Sequence, residues 1–423
     1  MTIISKLLKR VYLLLVSTFF LFCSSVLAQI QFETLDFQTN GRVIQLEVDT
    51  VNDYLYVGGD FNVLNSQPSS AIALYTDSGW ITRGTGYIVG QVYAMEIFRD
   101  TLYIGGHDPY QWLKKWDGLN WLNVSSDTAY GEILDLEVID DELWVAGYFD
   151  SIGNVPADGL ARWDGQQWKT AYDLPRIDSL DDFNRINTVC KYKGNIYIGG
   201  NFSDVNGNLN EIAMWNGSEW TDVGGGIKPH TFSAVFNFTE YDGDLYVMGR
   251  FLASEGNADN NIMRWNGEEW LPCGGGVMSS AGYATVFDNK LWVTGQMSSV
   301  AGLPADGLAI WDGEEWCAPR NDFSSWPGPV IEYHDSLFIG GSFQTIDGMD
   351  YSYIAKSNGE GYQDTCGVLW PVGMKDEYLN DQTDVQIYPN PTDEQLTIAS
   401  ETTVKKVDLI NSQGILVTSF KNI

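Results

Sequence analysis

One phrase recurs along this 423-residue chain and limits what it can fold into. "LYVGGDF" begins at Leu55 and returns as "LYIGGHD" at Leu102, "LWVAGYF" at Leu143, "IYIGGNF" at Ile196, "LYVMGRF" at Leu245, "LWVTGQM" at Leu291 and "LFIGGSF" at Leu337. The steps between these positions are 47, 41, 53, 49, 46 and 46 residues. A catalytic motif is normally written once, whereas a phrase repeated at this period marks a propeller or another repeat array. Each unit holds a first β-rich stretch such as "VIQLEVD", "VYAMEIF" or "ILDLEVI", a short polar turn, the glycine-bearing strand, and then two more strands. Four short strands per ~40–50 residues is the content of one propeller blade. No stretch after residue 28 has a helical period.

The second half of the unit reads "WDGLNW" at Trp116, "WDGQQW" at Trp163, "WNGSEW" at Trp215, "WNGEEW" at Trp265 and "WDGEEW" at Trp311. Asp-Gly and Asn-Gly favour hairpins, because glycine readily takes positive φ and Asp or Asn tolerates it. A four-residue loop would set the two tryptophans opposite each other, a pair worth ~0.5–1.5 kcal/mol beyond its buried area. The end units degrade to "YTDSGW" and "KSNGEGY", as terminal repeats do. Paired glycines in the second strand let neighbouring blades approach where side chains would crowd. A phosphate-cradling loop would need a helix directly after them, and none follows.

Seven units predict an all-β fold, a seven-bladed propeller over residues 29–370, with its ends joined. "IQFETLDFQTNGRV" from Ile30 reads as a last strand placed before the first unit, able to complete the final blade by strand exchange. "EGYQDTCG" from Glu360 competes for the same place, and the N-terminal segment is favoured.

The first 28 residues have a basic start, an apolar run and a small-residue end at Ala28, which is the order of a secretory signal peptide. Removing Lys6, Lys9 and Arg10 takes the formal net charge from -32 to -35. A chain this acidic repels phosphate backbones and anionic lipid, which argues against nucleic-acid or membrane-surface partners. No second apolar run has spanning length, so no transmembrane anchor is expected after the leader. Cys190, Cys273, Cys317 and Cys366 are widely spaced, without the close pairs of a zinc site. Packed thiols are the main expectation, although export permits a disulfide.

"LYVGGDFNVLNSQPSSAIALYTDSGW" and "IYIGGNFSDVNGNLNEIAMWNGSEW" resemble the kelch-related repeats of bacterial secreted proteins and of fungal cortical cell-polarity markers. The resemblance covers roughly residues 40–365 and implies a propeller without implying an activity. Beyond a linker at 371–384, "VQIYPNPTDEQLTI" and "VDLINSQGILV" resemble the C-terminal sorting domain of the type IX secretion system of Bacteroidota, a small β-sandwich. Tyr388, Pro389, Asn390 and Pro391 carry the sorting motif. Family members usually continue past the point where this chain stops, so residues 385–423 are expected to be a partial domain. The resemblance implies the type IX machinery as a partner, and a secreted or outer-membrane-surface location after Sec-dependent export.

Catalytic chemistry is not legible in the residues. His107, His230 and His334 fall in different units at different places, so no three-histidine metal site is expected, and no G-x-S-x-G elbow occurs. Acidic residues abound and read as a solvated surface. "DVNGNLNE" from Asp204 alternates oxygen ligands like a calcium loop but has Leu209 where that loop needs glycine, which leaves calcium as a minor reading and no other cofactor.

Propeller ligands gather where the loops between second and third strands meet the blade-to-blade connections. Six units keep a polar loop there, while unit two shortens it to "HDPYQW". A missing loop makes a notch lined by His107, Asp108, Tyr110 and Trp112, suited to an extracellular glycan or protein ligand. A binding or adhesion module at the cell surface is the favoured function. A polysaccharide-active hydrolase or lyase on the same face is the alternative.

Overall fold

The computed structural model describes residues 29–358, apart from 77, 83–89, 108–112, 125–130, 173, 175–176, 179–184, 205–208 and 229–232. It also describes the backbone of strand segments 385–388, 397–400, 406–410 and 416–421. The described residues are almost wholly strands and turns, with one short 3-10 turn at Ala253–Glu255.

Seven antiparallel sheets follow one another along the chain. Their innermost strands are Val43–Asp49, Gln91–Phe98, Gly131–Ile139, Arg185–Tyr192, Ala234–Tyr241, Tyr283–Phe287 and Pro327–Tyr333. Each touches the next, and the seventh touches the first, so the sheets close into a ring around an axis. The cores lie between adjacent sheets. Ile139, Trp144 and Leu160 of the third blade, for example, pack with Ile186, Ile198 and Ala213 of the fourth. The order of strands in a full blade, as in the third, is Gly131–Ile139, Glu142–Phe149, Leu160–Trp163, Trp168–Thr170.

The two glycines of the repeated phrase have different tasks. The first faces the next blade. A Cβ on Gly199 would stand 2.4 Å from Val235 Cγ1, and one on Gly340 would stand 2.4 Å from Val43 Cγ1, across the seam between the last blade and the first. Ala146, Met248 and Thr294 replace this glycine in three blades. The second glycine answers to its own blade. The inner strands bulge at one register position, leaving Ile44, Tyr93, Leu134, Asn187 and Phe236 without a cross-strand partner. The bulge swings the preceding part of the strand over the second glycine. A Cβ there would lie 2.1 Å from Arg42 O at Gly59, 1.9 Å from Gln91 O at Gly106, and 2.0 Å from Glu132 O at Gly147. No side chain fits, and this glycine is present in all seven units.

The ring is fastened by the N-terminal segment. The seventh sheet has three strands of its own, and Glu33 adds to it by an antiparallel bridge to Lys356. Glu33 N donates to Lys356 O at 2.7 Å. Buried Asn321 clamps Ile30, accepting from its N–H at 3.0 Å and donating to its carbonyl at 2.9 Å. The competing segment at Glu360 lies outside the described residues.

The tryptophan hairpins have four-residue loops. Trp116 pairs with Trp121, Trp163 with Trp168, Trp215 with Trp220, Trp265 with Trp270 and Trp311 with Trp316, at ring separations of 5.1 to 5.8 Å. The Asp or Asn of each turn accepts from the two N–H groups that follow the glycine, as Asp164 does from Gln166 and Gln167 at 2.9 Å. Second tryptophans also tie blades together: Trp270 Nε1 donates to Val223 O at 2.9 Å and Trp220 Nε1 to Ala171 O at 3.2 Å. Cys190 and Cys273 are free thiols, while Cys317 is disulfide-bonded to a partner outside the described residues.

The glycines allow a direct test. Gly59→Ala must displace the Arg42 carbonyl and is expected to cost about 3 kcal/mol or more. Gly58→Ala meets side chains alone, Val92 Cγ1 at 2.9 Å and Met95 Sδ at 3.0 Å, and is expected to cost about 1–2 kcal/mol. Thermal and urea melts of both variants check the order. Equal losses would show that the bulge does not set the requirement.

Candidate functional site

Directly after the second glycine the repeat stops repeating. The seven units place Asp60, His107, Tyr148, Asn201, Arg250, Gln296 and Ser342 there, a different polar residue each time. Their neighbours on the inner strands vary as freely: His107 is paired with Gln91, Tyr148 with Glu132, Asn201 with Arg185 and Arg250 with Ala234. In the last blade Ser342 N donates to Trp326 O at 3.0 Å, and the Trp326 side chain is 57% exposed. These positions form a rim at the end of the ring where the inner strands begin.

Inside the rim is a cavity of about 1050 Å³ lined by residues of six blades. The bulge residues Ile44, Tyr93, Leu134, Asn187 and Phe236 line it, which is how a backbone irregularity becomes a binding surface. Tyr93, Phe236 and Tyr283 supply aromatic area, and Gln45, Asn187, Asn201 and Asn237 supply amides. Some amides are already engaged: Asn187 Nδ2 donates to Val235 O and Asn201 Nδ2 to Ser233 O, each at 2.7 Å. The Tyr93 hydroxyl donates to Gln91 Oε1.

Most charges at the rim are compensated. Arg42 Nε pairs with Asp60 Oδ2 at 2.8 Å. Glu132 lies between His107 Nδ1 at 3.3 Å and Arg185 at 3.4 Å. Asp135, in the cavity wall, accepts from Val189 N at 2.8 Å, and burial pushes its carboxyl up to about 7. Next to the cavity wall, buried Glu211 takes a hydrogen bond from the Ser233 hydroxyl, and burial raises this acid to about 7 as well.

Further along the axis, three glutamates occupy one register position in consecutive blades: Glu47, Glu96 and Glu137. Burial raises Glu47 to about 8, and Glu137 and Asp135 reinforce the shift although they stand two blades away. Burial and then Glu47 raise Glu96 to about 9. Glu137 is raised in the same way by burial, then Asp135 and Glu96. These acids interact across the axis, which corrects the expectation that the acidic residues are uniformly a solvated surface. Among the described residues, no group of three His, Cys, Asp or Glu is placed to hold a metal ion.

Of the residues of the expected notch, His107 ends its strand at the rim, exposed and beside Glu132. Asp108, Tyr110 and Trp112 lie outside the described residues, as do His230 and most of the loop after Asp204. Leu209, the residue that spoiled the calcium pattern, is buried between blades. His334 sits in the turn at the far end of the inner strand, against Asp53 at 2.6 Å. Of the sorting motif, Tyr388 ends the strand Val385–Tyr388, while Pro389, Asn390 and Pro391 lie outside the described residues. The rim and the glutamate triplet were missed as sites. Both have a signal in the sequence: one recurring phrase followed by seven unlike residues, and a Glu at the same place in "QLEV", "AMEI" and "DLEV".

Comparison with known proteins separates the two ends of the chain. Residues 386–423 match the family described as the secretion system C-terminal sorting domain. That domain identifies a type IX export signal, implies interaction with the secretion machinery, and places the protein outside the cell or at the outer-membrane surface. No helix among the described residues is long and apolar enough to cross a membrane. No curated protein matches the chain. Among solved structures, the chain is similar to the extracellular domain of a hybrid two-component system from B. thetaiotaomicron, with a TM-score of 0.54, 11% identity, and coverage of 78% of this chain and 40% of that one. It is also similar to the GH74 enzyme of Niastella koreensis, with a TM-score of 0.50, 16% identity, and coverage of 79% of this chain and 55% of that one. The chain therefore spans 40% and 55% of those two structures. At these identities the likeness concerns the fold.

The axial glutamates give stability a definite pH dependence. An unfolded glutamate titrates near 4.5, whereas Glu96 in the folded protein titrates near 9. Between these values the unfolded chain releases a proton that the folded chain keeps, so stability is full below 4.5 and falls as pH rises toward 9. Glu96→Gln removes that group. It is expected to melt with the wild type at pH 5 and to be more stable by about 1–3 kcal/mol at pH 9. Melting curves from pH 5 to 9 check this, and parallel curves for the two proteins would contradict it.

Proposed function

We propose that this protein is a surface-displayed or secreted binding propeller whose ligand is an extracellular glycan held in the cavity at the mouth of the ring. The observation that carries this reading is the lining: aromatic faces of Tyr93, Phe236 and Tyr283 beside amides of Gln45, Asn187 and Asn237. Sugars offer that combination its complement, with C–H faces for rings and hydroxyls for amides. In this reading the propeller spans residues 29–370 after a cleaved leader, its repeats are kelch-related, a linker covers 371–384, and sorting begins at 385. His107 on the rim, with Asp108, Tyr110 and Trp112 after it, forms the edge of the same site through the shortened loop of unit two.

A polysaccharide-active enzyme is the second reading, and one observation favours it. Asp135 holds a proton near neutrality in the cavity wall, where Glu132 is kept beside Arg185 and His107. Two carboxyl groups in one cavity wall, one of them able to donate a proton, are the equipment of glycosidic bond cleavage.

One experiment weighs both. The exported protein is titrated with oligosaccharides by calorimetry, and the same panel is assayed for reducing ends. Tyr93→Ala and Tyr283→Ala are expected to weaken binding about 10-fold each, with the melting temperature of Tyr93→Ala close to the wild type. Turnover that vanishes in Asp135→Asn would decide for the enzyme. Binding unchanged in both tyrosine variants would remove the cavity as the site.

A further inference from the structure

Arg250 differs from every other arginine described. Arg42, Arg99, Arg162, Arg185 and Arg264 each have a carboxylate partner, and Arg320 is engaged as well. Arg250 is exposed, lines the cavity, and has no hydrogen-bond or ion-pair partner among the described residues. The register explains this isolation. In the first blade the residue after the glycine is Asp60, and its cross-strand neighbour Arg42 neutralises it. In the fifth blade the residue after the glycine is Arg250, and its cross-strand neighbour is Ala234, whose methyl group offers nothing to pair with.

The setting makes an unpaired cation informative. The chain has 24 Lys and Arg against 56 Asp and Glu, so acidic partners are abundant and a guanidinium has ample chance to find one. At the cavity the other charges cancel or are masked. Glu132 is shared by Arg185 and His107, and Asp135 is hydrogen-bonded to the backbone. Among the described residues, Arg250 therefore supplies the uncompensated charge of the lining. Its planar fork matches a carboxylate with two parallel N–H donors. The same lining holds the rings of Tyr93, in the second blade, and Tyr283, in the sixth, and the amides of Asn201, in the fourth blade, and Asn237, in the fifth.

We infer that the cavity takes an acidic sugar, and that Arg250 pairs with its carboxylate or sulfate ester while the aromatic wall holds the ring. This rests on the glycan-binding reading given above and narrows it to one chemical class. The pairing sits at an open rim in water, so it selects among glycans by charge and weakens with salt.

The full exported protein is titrated with oligogalacturonate, its methyl ester, a sulfated carrageenan oligomer and cello-oligosaccharides of matched length. An acidic member is expected to bind at least about 10-fold tighter than the neutral ones at low salt. Arg250→Gln is expected to abolish that preference, and Arg250→Lys to restore only part of it, with melting temperatures unchanged. Neutral and acidic sugars bound equally, or a preference that survives in Arg250→Gln, would overturn this inference and leave the glycan reading intact. No binding to any member would overturn both. A preference for the carrageenan over oligogalacturonate identifies the ester as the sulfate form of the same class.

Discussion

A backbone carbonyl lying over a glycine is the contact on which the rest of this molecule depends. In each of the first five blades the inner strand carries one extra residue, and the strand before it is pressed onto the second glycine of the repeated phrase. The bulge does two things at once. It increases the local twist that lets each blade stand against the next, and it turns one residue per blade toward the axis. Those residues, Tyr93, Leu134, Asn187 and Phe236 among them, become the wall of the cavity. Architecture and site thus have the same local cause, which is why the phrase before the bulge is so uniform and the residue beyond it so free to vary.

Much of the architecture was legible. The period of the phrase predicts a repeated run of sheets, the Asp-Gly and Asn-Gly hairpins predict the cross-strand tryptophans, and the segment from Ile30 bridges the last sheet through Glu33. The pairing of two glycines was read too simply, as one shared need for close approach between blades. Only register separates the first, which faces Val235 or Val43 of the next blade, from the second, which faces a carbonyl of its own.

The site was less legible because it is made by residues brought together around an axis from six blades. His107 was singled out for its shortened loop, and the structure gives it Glu132 from the next blade, a contact that no local sequence pattern announces. Glu47, Glu96 and Glu137 were visible as a repeated letter, yet their mutual repulsion exists only because the inner strands of three consecutive blades stand side by side around one axis. Arg250 looks ordinary in "VMGRF", and its lack of a partner among the described residues follows from the alanine across the strand. Side-chain charge is written in the sequence; compensation is written in the register.

The central claim is that the bulge residues and the rim around them are the ligand-binding face. A crystal structure of the exported protein soaked with an acidic oligosaccharide tests it most directly. The account places the sugar at the channel mouth, with a ring against Tyr93 or Tyr283 and an acidic group within about 3 Å of the Arg250 guanidinium. Density for the sugar at the opposite end of the ring, near His334 and Asp53, or on the outer tryptophan hairpins, would contradict it.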